Sequence, residues 1–416
     1  MKGIIAAAGR GTRLYPIGIT TSKTLVKILN KSIIEWSIDA LKQNGINEVI
    51  IIISADEFGE QVRNHLENAN IDGVNLQFAT QKEQLGTAHV FQMAKELVDE
   101  GEDFVALYGD DLYGPDNIRA LLEHELAIIG KKVTDPEKWG ILQHDEQGNL
   151  IKLVEKPKEM IGDLAHIGCM KLNARIFDFF DQLEMTERRE YELTDSITML
   201  ANERPVKVIE AVDYWLPVGY PWHILDATEV LAPKVESKIE GEVEQNVVVK
   251  GKLILPASSK ILANTYIDGN LIVGENTTIG PNVMIRGDVV IGNDCWIKFN
   301  SEIKNTVIGD SCKIHSGYIG DSIFGNHINF PTSIAGSYLG SFPVARVGSD
   351  PEENTNVKTL VKNNYVNTSR HKFGAVIGDS VQIGINTVIF PGIKIWPGAV
   401  TSPNEVVKND IVNKWV

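Results

Sequence analysis

The sequence predicts an α/β domain of Rossmann-like type followed by a left-handed parallel β-helix built from hexapeptide repeats. Three observations carry this. Short apolar runs alternate with amphipathic stretches over the first half of the chain. Ten aliphatic residues then recur at intervals of six between Val249 and Ile303. The chain has 416 residues, more than one hydrophobic core usually serves.

The first half is read from its periodicity. Gly3 to Ala8 has the composition of a buried strand, and Val49 to Ile53 that of a second. Ile33 to Gln43 has helical spacing and stops at Asn44-Gly45, a C-cap signal. Gln61 to Ala69 is helical again. Phe104 to Tyr108 is a strand that runs into Gly109-Asp110-Asp111. Strands and helices in alternation predict a mostly parallel sheet covered on both faces, with ligands bound at the carboxyl ends of the strands.

The second half changes period. Val249, Leu255, Ile261, Ile267, Val273, Ile279, Ile285, Ile291, Ile297 and Ile303 are each six residues from the last. The register slips near Val307-Ile308-Gly309 and resumes at Ile377, Ile383, Ile389 and Ile395. A period of six fits neither a helix nor a plain strand. It fits a triangular coil with one inward aliphatic per face, stacked so that the aliphatics form a continuous column. The expected division is residues 1–229 for the first domain, a charged linker at 230–245, and the β-helix at 246–416. Phe330 to about Arg370 interrupts the coils and reads as a long excursion.

Composition limits the function. The formal net charge is -15, which argues against a broad nucleic-acid footprint but leaves room for a local basic pocket. Cys169, Cys295 and Cys312 have no paired spacing, so neither a disulfide framework nor a zinc site is expected. The longest pure apolar run, Val49 to Ile53, is far below the ~20 residues of a membrane span. A cytoplasmic protein is expected, with neither a membrane nor a nucleic acid as partner.

After the first strand comes Ala8-Gly9-Arg10-Gly11-Thr12-Arg13-Leu14, then Lys23. The two glycines let several backbone N–H groups face one anion, and Arg13 can reach a phosphate through its planar fork. Alone, such a loop is weak evidence. Further along the chain stand Gln81-Lys82-Glu83-Gln84-Leu85-Gly86-Thr87-Ala88, Gly109-Asp110-Asp111 and Trp139-Gly140. Glu155-Lys156-Pro157, Glu192-Leu193-Thr194-Asp195 and Gly219-Tyr220-Pro221-Trp222 follow. In this order the set resembles the sugar-1-phosphate nucleotidylyltransferases. With the β-helix it resembles the bifunctional nucleotidylyltransferase–acetyltransferases of the archaeal type, which act on amino-sugar phosphates.

The resemblance implies that UTP or dTTP and a sugar 1-phosphate give an NDP-sugar and pyrophosphate, with Mg²⁺ as cofactor. It assigns Gly9, Gly11 and Arg13 to the triphosphate and Lys23 to the reacting phosphate. Gln81, Gly86 and Thr87 would read the pyrimidine, and Asp110 would hold the magnesium. Gly140, Glu155 and Lys156 would contact the sugar phosphate. On the β-helix, Lys313-Ile314-His315-Ser316-Gly317-Tyr318 resembles the acetyltransferase motif. There His315 would be the general base that readies an amine to attack acetyl-CoA, with Tyr318 and Lys372 on the acceptor. A homotrimer is implied by the same likeness.

Departures from the family pattern sit at the reacting centre. Trp215-Leu216-Pro217-Val218-Gly219 has Pro217 where a metal-binding Asp is usual. Ser22 precedes Lys23 where Pro is usual, and His166 replaces an Asn of the sugar strand. On the β-helix, Asn329-Phe330-Pro331-Thr332 lacks the family's second Asn. A regulatory paralogue that binds NDP-sugars, with a β-helix serving assembly, is the rival expectation.

Overall fold

The chain is described from a computed structural model that covers residues 1–69, 71–187, 189–331, 333–336 and 356–412, without the side chains of 333–336. It divides into two compact units. The first comprises Met1–Arg10, Ser22–Leu25 and Ser32–Pro217; the second comprises Gly11–Thr21, Val26–Lys31 and Val218–Val416. Among the described residues, no helix is long and apolar enough to cross a membrane.

The first unit is built on one sheet. Its strands are β1 (Lys2–Ala6), β2 (Glu48–Ser54), β3 (Asn75–Gln81) and β4 (Asp103–Tyr108). They are joined by helices α1 (Ile33–Lys42), α2 (Glu57–Ala69) and α3 (Thr87–Gln92). The spatial order β3-β2-β1-β4 is all parallel. Successive β-branched residues divide between the two faces: Ile4, Ile50 and Ile52 pack into one core, and Ile5, Ile51 and Ile53 into the other. That is why these strands read as continuous apolar runs. Helix α1 begins with a capping box in which Ser32 and Glu35 satisfy each other's backbone N–H groups. It ends before Gly45, whose φ is +74°. Helix α2 starts at Glu57, four residues earlier than the apolar spacing suggested.

The expectation of a mostly parallel sheet holds for only half of it. Beyond β4 the sheet continues with β6 (Ala127–Lys132), β7 (Gly140–His144), β8 (Leu150–Glu155) and β9 (Leu164–Asn173). Strand β9 is antiparallel to β4, β6 and β7, and β8 is antiparallel to β7. A short ribbon pairs β5 (Asp111–Tyr113) with β11 (Trp215–Pro217), and β10 (Lys207–Glu210) lies parallel to β6.

In the second unit the period of six becomes a period of eighteen. Ile261, Ile279 and Ile297 lie in register on neighbouring parallel strands, as do Ile267, Ile285 and Ile303. Each coil therefore has three faces, and the column is dry: Ile267, Ile279, Ile285, Ile297 and Ile303 are all fully buried. The slip near Val307 is a change of coil length. Ile297 pairs with Ile314 and Ile303 with Ile319, intervals of 17 and 16 residues. Corners are turned by residues that tolerate a left-handed backbone. Asn246, Asn264, Asn282 and Asn300, each 18 apart, all have positive φ.

The stretch expected as a linker is not free chain. Its start closes helix α4 (Trp222–Leu231), and Lys238–Ile239 and Glu242–Val243 already pair with the next coil. These strands are exposed, which suits the outermost coil and explains their charged composition. The excursion after Phe330 lies largely outside the described residues. Its described part includes an antiparallel hairpin, Lys358–Val361 with Asn364–Asn367.

Candidate active sites

In the first unit, order reverses between β1 and β4, and the carboxyl ends of these two strands open a crevice there. A cavity of about 260 Å³ occupies it, lined by Gly9, Thr24, Thr87, Phe91, Tyr108 and Asp110 among others. Three sequence-predicted residues, Gly9, Thr87 and Asp110, thus share one wall-to-wall space. Lys23 reaches Asp110 directly: its buried ammonium forms an ion pair with the carboxylate at the cavity rim. Tyr108 carries the cavity's polar ring. Desolvation pushes its phenol up, and the charges of Glu155, Asp110 and Glu192 add to this.

The base-reading residues stand on the next strand and helix. Gln81 ends β3, and its amide nitrogen lies 3.0 Å from Nδ1 of His89. Gly86 precedes α3 with φ +98°, and a Cβ there would meet the Tyr191 carbonyl oxygen at 2.6 Å. Only glycine fits so close to another backbone segment. The Thr87 hydroxyl accepts from the Leu193 N–H at 3.0 Å, tying the Gln-to-Thr motif to the Glu192–Asp195 motif. Gly140 and Glu155 are ladder partners across β7 and β8, and the Lys156 ammonium lies 3.4 Å from Glu155.

Gly11 and Arg13 fall in the second unit. Gly11 turns the chain with φ +60°, and the Arg13 guanidinium lies 5.3 Å over the Tyr220 ring. Tyr220 in turn stacks on Trp222 at 4.4 Å. Within this unit Arg13 and the Gly219–Trp222 motif, far apart in the chain, are thereby connected.

The departures also have places. Pro217 stands opposite Asp111 in the β5–β11 ribbon. Asp111 is buried and accepts from Trp215 Nε1 at 2.8 Å. Asp213, four residues before Pro217, accepts from the Tyr214 N–H at 2.7 Å. Among the described residues, no cluster of three or more acidic, His or Cys side chains could hold a metal. Among the described residues, Asp110 is the one carboxylate lining the cavity. That fits an ion such as Mg²⁺, which takes one or two protein carboxylates and completes its shell with phosphate and water. His166 is buried in β9, its ring 5.7 Å from Tyr108. Its Nδ1 accepts from the Gly168 N–H at 3.4 Å, and its Nε2 has no partner among the described residues. Burial lowers its pKa from 6.5 to about 4.

In the second unit His315 lies in a separate cavity of about 520 Å³ with Trp296, Lys298, Lys313, His327, Asn329 and Gln382 among its lining residues. Lys298 Nζ is 3.3 Å from His315 Nδ1. Lys372 lines a different cavity, of about 430 Å³, with Asp226, Glu229, Asn305, Asp321 and Arg370. There Arg370 pairs with both Asp226 and Glu229 of α4. Tyr318 is buried on the coil face, in register with Glu302. Within this unit His315 and Lys372 do not share a pocket. Sequence reading missed Lys298, although it stands one 17-residue coil before His315 and so on the same face; periodicity alone could have found it.

The family described as "Nucleotidyl transferase" matches residues 2–234. A bifunctional sugar-1-phosphate nucleotidylyltransferase/acetyltransferase of Sulfurisphaera tokodaii is 37% identical over 99% of this chain and 98% of its own length. The bifunctional protein GlmU of Methanococcus maripaludis is 37% identical over 99% of this chain and 95% of its own. A solved structure of a glucose-1-phosphate thymidylyltransferase from Bacillus anthracis, described as putative by its authors, is 25% identical, with a TM-score of 0.51. It covers 57% of this chain and 97% of its own.

Proposed function

We propose that this chain, which belongs to the nucleotidyl transferase family, is a bifunctional enzyme of nucleotide-sugar synthesis. Its first activity joins UTP or dTTP to a sugar 1-phosphate, releasing pyrophosphate. Its second transfers an acetyl group from acetyl-CoA to an amino-sugar 1-phosphate. The observation that carries the first activity is the Lys23–Asp110 pair at the rim of the strand-end cavity.

The chemistry needs position and charge more than covalent help. A sugar-phosphate oxygen attacks the α-phosphorus in line, and pyrophosphate leaves. Asp110 would hold Mg²⁺, which supplies neutralisation of the phosphate charge. Lys23, paired with Asp110 in this structure, would serve the phosphate at the reacting atom once Asp110 held the metal. Gly9 lines the cavity and would serve the triphosphate through its backbone N–H. Gly11 and Arg13 follow in the chain and serve the triphosphate. Gln81, Gly86 and Thr87 serve the base, and Gly140, Glu155 and Lys156 the sugar phosphate. His315 serves acetyl transfer, with Tyr318 and Lys372 on the acceptor; the assembly is a homotrimer.

The test is a matrix of UTP and dTTP against several sugar 1-phosphates with Mg²⁺, read by pyrophosphate release. Asp110→Ala should slow the best pair by about 10²-fold or more. Unchanged release in that variant overturns the metal assignment. One observation favours a second reading, an NDP-sugar-binding paralogue with little turnover: Pro217 faces Asp111 where a second carboxylate is usual. An empty matrix alongside tight NDP-sugar binding would select it.

A further inference from the structure

We propose that His89 is a positioning residue that fixes the side-chain amide of Gln81 with its carbonyl oxygen turned to the nucleotide, so that the site selects uracil or thymine over cytosine. The inference rests on the nucleotidyl-transfer half of the proposed function and names what sets its base.

An amide can face a ligand in two ways. Half a turn of the terminal group of Gln81 exchanges a donor for an acceptor and leaves the shape almost unchanged. A neighbour must therefore choose between the two faces. Here that neighbour is His89, whose Nδ1 lies 3.0 Å from Gln81 Nε2. An amide nitrogen has donors only, so Gln81 donates and Nδ1 accepts. A neutral imidazole that accepts at Nδ1 carries its hydrogen on Nε2. The carbonyl oxygen of Gln81 then lies on the arm of the amide away from the ring.

Both partners are held. Gln81 is 3% exposed and is the last residue of β3, at the strand end where such a sheet takes ligands. It stands opposite Ser54 of β2, and its backbone carbonyl accepts from the Ala55 N–H at 3.1 Å. His89 sits on α3, two residues after Thr87. Its ring lies 5.9 Å from that of Phe180, which lies 5.1 Å from that of Tyr191. The Tyr191 carbonyl accepts from the Ala88 N–H at 3.0 Å, and the Tyr191 N–H donates to the Leu85 carbonyl at 2.7 Å. Tyr191 thus fixes the start of α3 through its backbone and braces the imidazole through Phe180.

The bases differ at the edge such an amide reads. Uracil and thymine present N3–H beside the O4 acceptor. Cytosine presents a bare N3 beside the N4 amino group. With one Nε2 hydrogen tied to His89, the amide offers Oε1 to N3–H and its second Nε2 hydrogen to O4. Both contacts match uracil and thymine. Against cytosine, acceptor meets acceptor and donor meets donor. A site left with buried polar groups unpaired rejects a ligand far more strongly than one that only mismatches in size.

Pyrophosphate release by the full chain, with Mg²⁺ and the best sugar 1-phosphate, reads the role across UTP, dTTP and CTP. Wild type should prefer UTP or dTTP to CTP by about 10²-fold or more in kcat/KM. His89→Leu frees the amide to turn, and the preference should fall by about tenfold or more. The loss should appear as a raised KM for UTP rather than in kcat, because the phosphorus chemistry is untouched. His89→Asn returns a carbonyl acceptor to the place of Nδ1 and should keep most of the preference. A wild type that uses CTP as readily as UTP overturns the selectivity. An unchanged preference in His89→Leu overturns the role of His89.

A second readout needs no turnover. With ¹⁵N-labelled histidine, two-bond ¹H–¹⁵N correlations report the tautomer, and the His89 signal is the one missing in His89→Asn. Wild type should show a bare Nδ1 and a proton on Nε2. A proton on Nδ1 means that the ring holds Oε1 instead, and the inference is overturned. If no nucleotide releases pyrophosphate with any sugar 1-phosphate tried, the nucleotidyl-transfer reading itself fails, and the tautomer spectrum still decides how the amide is held.

Discussion

His166 gives a prediction that can be worked in numbers. It is buried beside Tyr108, with an ordinary pKa of 6.5 brought down to about 4 by burial. In the unfolded chain the ring binds a proton below about 6.5; in the folded chain it stays neutral until about 4. Between those values the unfolded state holds more protons, so stability falls as pH falls. Above 6.5 the penalty is absent. At 1.36 kcal/mol for each pH unit, the full penalty is about 3 kcal/mol, and about 2 kcal/mol of it is felt by pH 5. His166→Leu, close in volume, removes the titrating group. It also removes the partnerless Nε2, whose burial costs about 1–3 kcal/mol. Urea unfolding of both proteins by tryptophan fluorescence at pH 7.5 and pH 5 is the assay. The variant should match or exceed wild type at the higher pH and lose about 2 kcal/mol less on going to the lower one. Parallel losses in the two proteins would refute the argument.

Two further outcomes follow from the packing. Gly86→Ala puts a methyl 2.6 Å from the Tyr191 carbonyl at a φ of +98°, so backbone must move; about 1–3 kcal/mol of stability and a raised KM for the nucleotide are expected, read by thermal unfolding and pyrophosphate release. Ile303→Ala removes a fully buried side chain from the β-helix column. It should cost about 2–5 kcal/mol in denaturant unfolding.

Much of this was legible from residues alone, and the reasons differ by element. The hexad pattern is self-averaging: one misplaced aliphatic cannot hide ten in step, so the β-helix column and its interruption were readable. The slip at Val307 was visible but not its cause, because coil length shows only when Ile297 meets Ile314. Strands β1, β2 and β4 were readable because both their faces are buried. The antiparallel entry of β9 was not, since its direction depends on partners distant in the chain. Glu242–Val243 read as linker because charge marks exposure, and an end coil is exposed as well as paired. In the candidate site, motif order located Gly9, Thr87 and Asp110 in one cavity. That Lys23 would be tied to Asp110, and Lys298 to His315, needed coordinates, because an ammonium on a flexible stem has no sequence signature for its partner.

The stacked coils also act as a ruler graduated in whole rungs. Each turn raises the chain by about 4.8 Å, the spacing of hydrogen-bonded strands. The height of His315 along the column can therefore change only by adding or removing a full circuit, such as the 18 residues from Ile267 to Ile285. A single inserted residue within a face would instead swing every later aliphatic off its wall, unless a corner absorbed it as the 16- and 17-residue turns do. Variation in such a protein is thus expected to come in circuits and at corners, leaving the walls between them untouched.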